Sequence, residues 1–416
     1  MIERALLLLQ QSRYDLAEKE LRHYLAQDPE NAQAHSLLAL SLAQQDKLEE
    51  ADGSARQAVQ LAPDEAFCHY VLGLVKAQNE DLQSARQSIE EAIRLNPEDS
   101  DYHGLRAFIY LRAQRWQEAL NAANEGLTHD PNHQECLNHR AMALVKLNRH
   151  EDARQTIGHA LQENPENEHT HANLGWTYLH EGQHKKALEH FSEALRLDPN
   201  FDYARHGLVE ALKARYFLYR WLLRFFLWMS TLSPRVRGGL IIGAYVLVKV
   251  LGTAAERNPA LAPFILPIVI FYAVFVLLTW VIDPLFNLVL QCNRYGRSAL
   301  SKTQRWSSSI FGVLLLGVIA AVVCGVTTGL MPFYLLAAGL GVLIIPSSRI
   351  FEGHEAKLNP RSTGFVLGMT LLGAAAVVSL ALGYERAAMT FFAFDFLAFV
   401  AFTWFGAILG LQRQKV

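Results

Sequence analysis

Residues 168–199, EHTHANLGWTYLHEGQHKKALEHFSEALRLDP, carry the pattern that decides the fold of the first half of the chain. Within this stretch Ala187 stands twelve residues before Pro199, and the same pair recurs upstream every 34 residues. The alanines are Ala17, Ala51, Ala85, Ala119, Ala153 and Ala187, and the prolines are Pro29, Pro63, Pro97, Pro131, Pro165 and Pro199. Alanine lets two helices approach closely, and proline cannot continue a helix. The two ladders therefore predict a series of helix pairs separated by turns.

These residues resemble the tetratricopeptide repeat (TPR) family. The fullest match keeps the signature residues Leu174, Gly175, Tyr178, Ala187, Phe191, Ala194 and Pro199. The family's tryptophan at the fourth place of the unit is absent; that place holds His35, His69, His103 and His171, with Leu137 in the remaining complete unit. The resemblance implies an all-α helical solenoid of six units over residues 1–213. A truncated first unit caps one end, and a helix from about residue 201 caps the other.

The resemblance also implies a peptide-binding groove on the first helices of the units. The groove residues carried over from the family are Leu40, Phe67, Tyr70, Leu74, Phe108, Arg112, Asn138, Met142, Lys146, Trp176 and His180. They form an apolar stripe beside a positive edge, which would suit a peptide with apolar anchors and an acidic end. The alternative is that these large side chains pack between adjacent helices.

Signatures of catalysis, metal binding and cofactor binding are missing from the sequence. It contains no P-loop, GxSxG or dinucleotide fingerprint. His354 and Glu355 are adjacent but lack a second histidine at helical spacing, so we expect a solvated turn there. The ladder histidines lie on successive units and cannot converge on one ion, which favours packing between helices. We therefore expect no enzymatic activity, no cofactor and no metal.

The composition changes after residue 215, which indicates a second, membrane-embedded half. Residues 1–215 contain 34 acidic and 22 basic residues, whereas the remainder contains 6 and 16. Six apolar stretches there approach the length of about 20 residues that a transmembrane helix needs. They run over about 238–255, 261–282, 309–327, 329–346, 363–383 and 389–411. These stretches predict a polytopic α-helical transmembrane domain over residues 238–411.

The basic residues predict how the membrane half is oriented. Alternate connections between the six spans carry eleven Lys and Arg on one side and two on the other, so the repeat array and the tail 412–416 should face the cytoplasm. Residues 214–237 are rich in aromatic residues and arginine, and we expect an amphipathic helix at the membrane interface. The basic segment 284–306 should lie along the inner leaflet, with nucleic acid as the weaker alternative.

Two ionisable residues fall inside predicted spans. Lys249 in the first span and Asp395 in the sixth lie at similar depths, so they are predicted to form a buried ion pair. The alternatives are a proton or solute site, or unpaired residues that are exposed to water. Asp283, directly before Pro284, is expected at a solvated helix end.

Together these features favour a non-enzymatic scaffold: a membrane-anchored TPR adaptor that binds proteins or peptides on the cytoplasmic side and assembles them at a membrane. The alternative is a transporter or lipid-handling protein regulated by the array. We expect a multi-pass protein of a prokaryotic plasma membrane whose partners are proteins, peptides and lipids but not nucleic acid. The pattern predicts no oligomeric state.

Overall fold

The computed structural model describes residues 1–258, 260–347, 350–352 and 357–405. Its first half consists of successive helix pairs, as the repeat predicts. The helices are α1 (Ile2–Gln10), α2 (Tyr14–Leu25), α3 (Ala32–Gln44), α4 (Leu48–Leu61), α5 (Ala66–Gln78), α6 (Leu82–Leu95), α7 (Ser100–Arg112), α8 (Trp116–His129), α9 (Gln134–Lys146), α10 (His150–Glu163), α11 (Glu168–His180), α12 (His184–Leu197) and α13 (Asp202–Lys213).

The alanine ladder is buried inside this array. All six alanines have no exposed surface. Each first helix packs against its own second helix and against the first helix of the next pair, as in α3·α4 and α3·α5. Because the first helices follow one another directly, they line one side of the solenoid. The predicted TPR solenoid is therefore confirmed.

The histidine ladder closes the turns between units. The Nε2 atoms of His35, His69, His103 and His171 lie 2.9, 2.8, 2.8 and 3.0 Å from the carbonyl oxygens of Pro29, Pro63, Pro97 and Pro165. Because a carbonyl oxygen only accepts, Nε2 must carry the proton in each bond. The histidine thus ties the first helix of a unit to the proline turn before it. Among the described residues, no three His, Cys, Asp or Glu side chains come together as a metal site would require.

A third 34-residue ladder lies at the turn inside each pair. Ser12, Asp46, Glu80, Gln114, Asn148 and Gly182 all have positive φ, between 57° and 79°. Only the last is glycine, the residue that adopts this conformation without strain. In the other five turns this conformation costs free energy, and the cost is smallest for Asp46 and Asn148, whose residue types adopt it most readily.

The second half is built of longer helices with one short β-hairpin. Its elements are α14 (Phe217–Thr231), α15 (Pro234–Arg257), α16 (Ala262–Gln291), α17 (Arg294–Ala299), α18 (Lys302–Thr328), α19 (Met331–Ser347), β1 (Phe351–Glu352), β2 (Lys357–Leu358), α20 (Pro360–Ala381) and α21 (Glu385–Phe405). The strands pair antiparallel, with Phe351 opposite Leu358. The sequence did not predict this hairpin. The predicted turn at His354 and Glu355, the end of the sixth span and the tail lie outside the described residues.

One predicted boundary was wrong. Residues 214–237 do not form one helix, because α14 ends at Thr231 and Pro234 begins α15. The basic segment 284–306 begins inside α16, which continues through Pro284 to Gln291. Its remainder forms α17 and the start of α18, where Ser301 and Gln304 make a reciprocal N-terminal cap.

The chain divides into two compact units, and neither matches the predicted domain boundary at residue 213. One unit contains Met1–Gly207 and Arg224–Gly239, and the other contains Leu208–Leu223 and Leu240–Val416. Within the second unit, Val209 at the end of α13 is buried with Leu290, Ala299 and Leu300. The capping helix is thus present over nearly its predicted range, but its two ends belong to different units.

A charged cluster is buried in the second unit. Lys213 is 2% exposed, and its Nζ donates to Glu210 Oε1 at 3.1 Å and to Asp283 Oδ1 at 2.9 Å. The hydroxyl of Tyr219 lies 2.8 Å from the same Asp283 oxygen. Asp283 is therefore not merely a solvated helix end, as the sequence indicated, because it compensates the buried Lys213 charge.

Four helical segments among the described residues are long and apolar enough to cross a membrane: Arg235–Arg257, Ala262–Thr279, Lys302–Thr328 and Pro360–Ala381. Val281–Gln291 and Met331–Ser347 are shorter apolar helices. Helices α18 and α19 pack against each other, with Gly329 at φ 69° between them.

We expect the substitution Asp46→Gly to stabilise the array by up to about 1 kcal/mol, because it relieves a positive φ of 61° at an exposed turn. The gain would appear as slower amide hydrogen exchange in α3 and α4 of the purified full chain. Gln44→Gly, two residues earlier and inside α3, is the matched control and should speed exchange. Equal effects of the two glycines would show that the turn is unstrained.

Candidate peptide-binding surface

The predicted groove residues lie on the first helices α3, α5, α7, α9 and α11, on the side that these helices line together. The apolar stripe is half-buried throughout. Leu40, Phe67 and Tyr70 pack against one buried cluster of the array, and Tyr70, Leu74 and Phe108 pack against the next. Met142 packs with the cluster around Leu144. The stripe therefore both joins neighbouring units and retains some surface on the inner face.

Two of the predicted residues are used inside the array. Asn138 is 8% exposed, and its Oδ1 accepts hydrogen bonds from Thr170 Oγ1 and Asn173 Nδ2, both at 3.1 Å. The ring of Trp176 packs edge-on against Phe191 at 5.5 Å and lies 5.7 Å from Tyr203 of the capping helix. At these two positions the packing interpretation describes the contacts better than the groove interpretation does.

An aromatic cluster occupies the middle of the inner face. The rings of Phe67 and Tyr70 stack at 6.2 Å, and Tyr70 lies 5.1 Å from Tyr102. In the next unit the ring of Phe108 lies 5.8 Å from His139. Such rigid rings offer a large contact area at a small entropic cost, as anchoring sites for peptides require.

Carboxylates surround this cluster. Burial raises the pKa of Tyr70, and the nearby charges of Glu135, Asp101 and Asp99 raise it further. Asp101 and Glu135 occupy the second place of the fourth and fifth units, where the third has Phe67. We call Phe67, Tyr70, Asp101, Phe108 and Glu135 the central patch. Its acidic members, Asp101 and Glu135, are not among the groove residues predicted from the sequence, although the second place of each unit carries the signal.

Glu135 is the member of the patch whose charge is least compensated. The Glu135 side chain is exposed to solvent, but many protein atoms lie around it. The resulting desolvation, followed by the charge of Asp101, raises the pKa of Glu135. A Cβ added to Gly104 would lie 3.6 Å from its Oε2, so glycine leaves room beside the carboxylate. Asp101 by contrast is bonded to His133 Nε2 at 2.9 Å, and this bond raises the pKa of His133 to about 10. No ion pair reaches Glu135 from the described residues.

The predicted positive edge is not free. Arg112 pairs with Glu80 at 3.3 Å. Lys146 Nζ donates to Ser230 Oγ at 3.1 Å, and Trp116 Nε1 donates to the Thr231 carbonyl at 3.2 Å. At Lys146 the edge is thus covered by the chain's own α14, and an acidic peptide end cannot reach this ammonium group without displacing the helix. Arg112 is paired within the array, so neither side chain is unpaired as a positive edge would require.

Helix α14 belongs to both compact units. Its first half, to Leu223, lies in the second unit, and its second half, from Arg224, lies against the array. The guanidinium of Arg224 reaches Gly182, where an added Cβ would lie 2.6 Å from its Nη2. Distant positions in the sequence make these contacts, so the 34-residue pattern gave no sign of them.

His180 lies beside this covered edge. Desolvation, with smaller contributions from the charges of Lys146 and His150, lowers the pKa of His180 to about 3. Desolvation also lowers the pKa of His139, to about 4. Both histidines are therefore neutral in the folded array at neutral pH.

The predicted pair of Lys249 and Asp395 is not formed in the structure. Lys249 is exposed on α15, whereas Asp395 is fully buried on α21. Neither oxygen of Asp395 has a hydrogen-bond partner among the residues that the structure describes.

Acidification should destabilise the array. In the unfolded chain a histidine has a pKa of about 6.5. Below that pH the unfolded chain therefore binds more protons than the folded array, so the free energy of unfolding falls from about pH 6.5 downward. At pH 5 each of the two histidines should contribute a loss on the order of 1–2 kcal/mol. The midpoint of thermal unfolding, followed by circular dichroism, should drop accordingly. His180→Gln should reduce this drop, whereas His23→Gln, at an exposed position, should not; equal behaviour of the two variants would refute the assignment.

Comparison with known proteins agrees with the repeat. Models described as tetratricopeptide repeat match residues 2–66, 70–133, 110–174 and 170–201. Among solved structures, YrrB, a TPR protein with an unusual peptide-binding site, is 21% identical over 45% of this chain and 96% of its own, with a TM-score of 0.33. PilF of Pseudomonas aeruginosa is 22% identical over 50% and 95%, with a TM-score of 0.41. A thermophilic TPR protein of Thermus thermophilus is 16% identical over 44% and 99%, also at 0.41.

No curated protein matches the chain. The family models end at residue 201, and none of them covers the second half. The first half of this chain is a member of the tetratricopeptide repeat family.

Proposed function

We propose that this protein is a non-enzymatic, membrane-anchored adaptor whose TPR array binds a protein segment and holds it at the membrane surface. TPR arrays in general bind proteins or peptides, and the central patch offers the most complete binding surface on the inner face. The apolar helices of the second half supply the anchor. The observation that carries the proposal is the exposed Glu135 carboxylate, which is in no ion pair among the described residues, near the half-buried ring of Tyr70.

The chemistry of the central patch selects the partner. Phe67, Tyr70 and Phe108 favour apolar or aromatic anchors, while Asp101 and Glu135 favour a neighbouring Lys or Arg. The array as a whole is acidic, which speeds the encounter with basic segments. The partner is therefore a segment with apolar anchors and basic residues, because α14 already covers the positive edge that an acidic segment would need.

The surface of the second half supports membrane insertion. On α15 the side chains of Ile242 and Val250 are 65% and 60% exposed, and comparable apolar side chains follow one another around the whole helix. Soluble proteins rarely expose such continuous apolar surface. A lipid environment would bury it, and the excess of basic residues in alternate connections favours a cytoplasmic array in a plasma membrane.

Helix α14 has the character of an interfacial helix. Phe217, Trp221 and Trp228, spaced by four and seven residues, form one exposed stripe. Aromatic rings interleaved with arginine favour the headgroup region. We propose that this stripe lies in the membrane interface while the opposite side of the second half of the helix rests on the array.

The partner chemistry can be tested with a peptide display library screened on purified full-length protein. We expect enrichment of sequences with aromatic or aliphatic residues next to Lys or Arg. Glu135→Gln should weaken binding of an enriched peptide about tenfold, the order expected for a charge-assisted hydrogen bond. Glu49→Gln, on the second helix α4, is the control and should leave binding unchanged. Enrichment of acidic peptides, or equal binding by both variants, would contradict the proposal.

The membrane topology can be tested by cysteine labelling of intact cells. In a background with Cys292 and Cys324 replaced by serine, Tyr384→Cys between α20 and α21 should react with an impermeant maleimide. Asp46→Cys in the array should react only after the membrane is opened. Labelling of Asp46→Cys in intact cells would reverse the orientation, and recovery of both variants without detergent would refute the anchor.

A further inference from the structure

Helices α19, α20 and α21 pack together in the second unit. The face of α21 that is buried in this packing, called the seam below, contains an aspartate at its centre. Ala388, Asp395 and Phe402, spaced by seven residues, are each no more than 1% exposed. A spacing of seven places them on one face of the helix. Asp395 therefore stands where a core apolar residue belongs.

The position facing Asp395 is a glycine. A Cβ added to Gly373 on α20 would lie 3.4 Å from Asp395 Oδ2, and one added to Gly339 on α19 would lie 3.9 Å from the Gly373 Cα. The three helices thus meet closely around the carboxyl group. Gly383 lies in the turn between α20 and α21. Gly373 lies ten residues before this turn residue and Asp395 twelve residues after it, so Gly373 and Asp395 are at nearly the same height in the helix pair.

Charges that could compensate Asp395 lie far along the helices. The described part of α19 has no Asp, Glu, Lys or Arg. On α20 the charged residue is Arg361, twelve residues from Gly373, or about 18 Å along the helix. On α21, Glu385 and Arg386 are ten and nine residues away, about 14 Å or more. Lys249, the partner predicted from the sequence, is exposed on α15.

An ionised carboxylate is expensive in such surroundings. An unpaired charge in an apolar interior loses several kcal/mol of solvation, and most of all where lipid surrounds the helices. A bound metal cation would need several oxygen ligands, but the facing positions are glycine, and the backbone carbonyls are used within their own helices. A proton needs no further ligand, since it neutralises the carboxylate by itself.

We propose that Asp395 is a proton-binding site of the membrane domain and carries its proton at neutral pH. The site is closed, with no exposed surface, so the proton exchanges with water only when the seam between α20 and α21 opens. Loss of the proton creates a charge that the closed seam cannot hold. The carboxyl group thereby couples proton release to separation of these helices, independently of what the TPR array binds.

Infrared spectroscopy of the full-length protein in lipid nanodiscs at about pH 7 tests the protonation state. The wild-type minus Asp395→Asn difference spectrum should show the carbonyl stretch of a protonated carboxylic acid, shifted in D2O. Glu385→Gln, at the end of the same helix, and Lys249→Gln are the controls and should retain the band. Carboxylate stretches in the difference spectrum would overturn the proposal, as would an acid band that appears only in Lys249→Gln.

Two further measurements do not depend on the acid band of one variant. Labelling all aspartates with 13C at the carboxyl carbon should shift the acid band of the wild-type protein without any substitution. Raising the pH to about 10 should lower the unfolding midpoint of the wild-type membrane domain and leave that of Asp395→Asn in place, because asparagine mimics the neutral acid. The absence of an isotope-sensitive acid band, or the same alkaline loss in both proteins, would also refute the site.

Discussion

Close approach of paired helices at the alanine positions is the constraint on which the array depends. Ala17 and its five equivalents have no exposed surface, so any larger side chain would have to push two helices apart. Because the same contact recurs every 34 residues, each unit meets the next in the same way. The first helices consequently line one side, and the aromatic and acidic residues of the central patch come together on it from successive units.

Much of this architecture could be predicted from the sequence because it depends on local, periodic packing. The six apolar stretches of the second half likewise correspond to α15, α16, α18, α19, α20 and α21, since length and apolarity are properties of each segment alone. The positive φ ladder was missed because five of its six members are not glycine. A residue type that is unfavourable for a conformation gives no signal of it.

The candidate site was predicted less well, because its chemistry depends on contacts between distant segments. The places of Lys146 and His180 in the repeat predict that both side chains face a partner. Lys146 is instead bonded to Ser230 of α14, which lies more than 80 residues later in the chain. Asn138 was assigned to the groove but bonds to the neighbouring unit. Lys249 and Asp395 matched in depth, but depth does not determine which faces of two helices meet. The spacing of residues along a chain predicts contacts within a helix or a repeat. It does not predict which distant segment packs against the remaining surface.

The sharing of α14 between the two units has a consequence for dissecting the molecule. A fragment ended after the sixth repeat, at residue 199 or 213, would strip the indole of Trp116 and the ammonium of Lys146 of their acceptors and bare an edge that the whole protein never presents. Such a fragment would expose a surface that residues 224–231 cover in the full chain. Ligands that bind the fragment there would only replace these residues. A fragment that preserves the native surface would have to include residues 224–239, for example joined to the end of the array by a flexible linker.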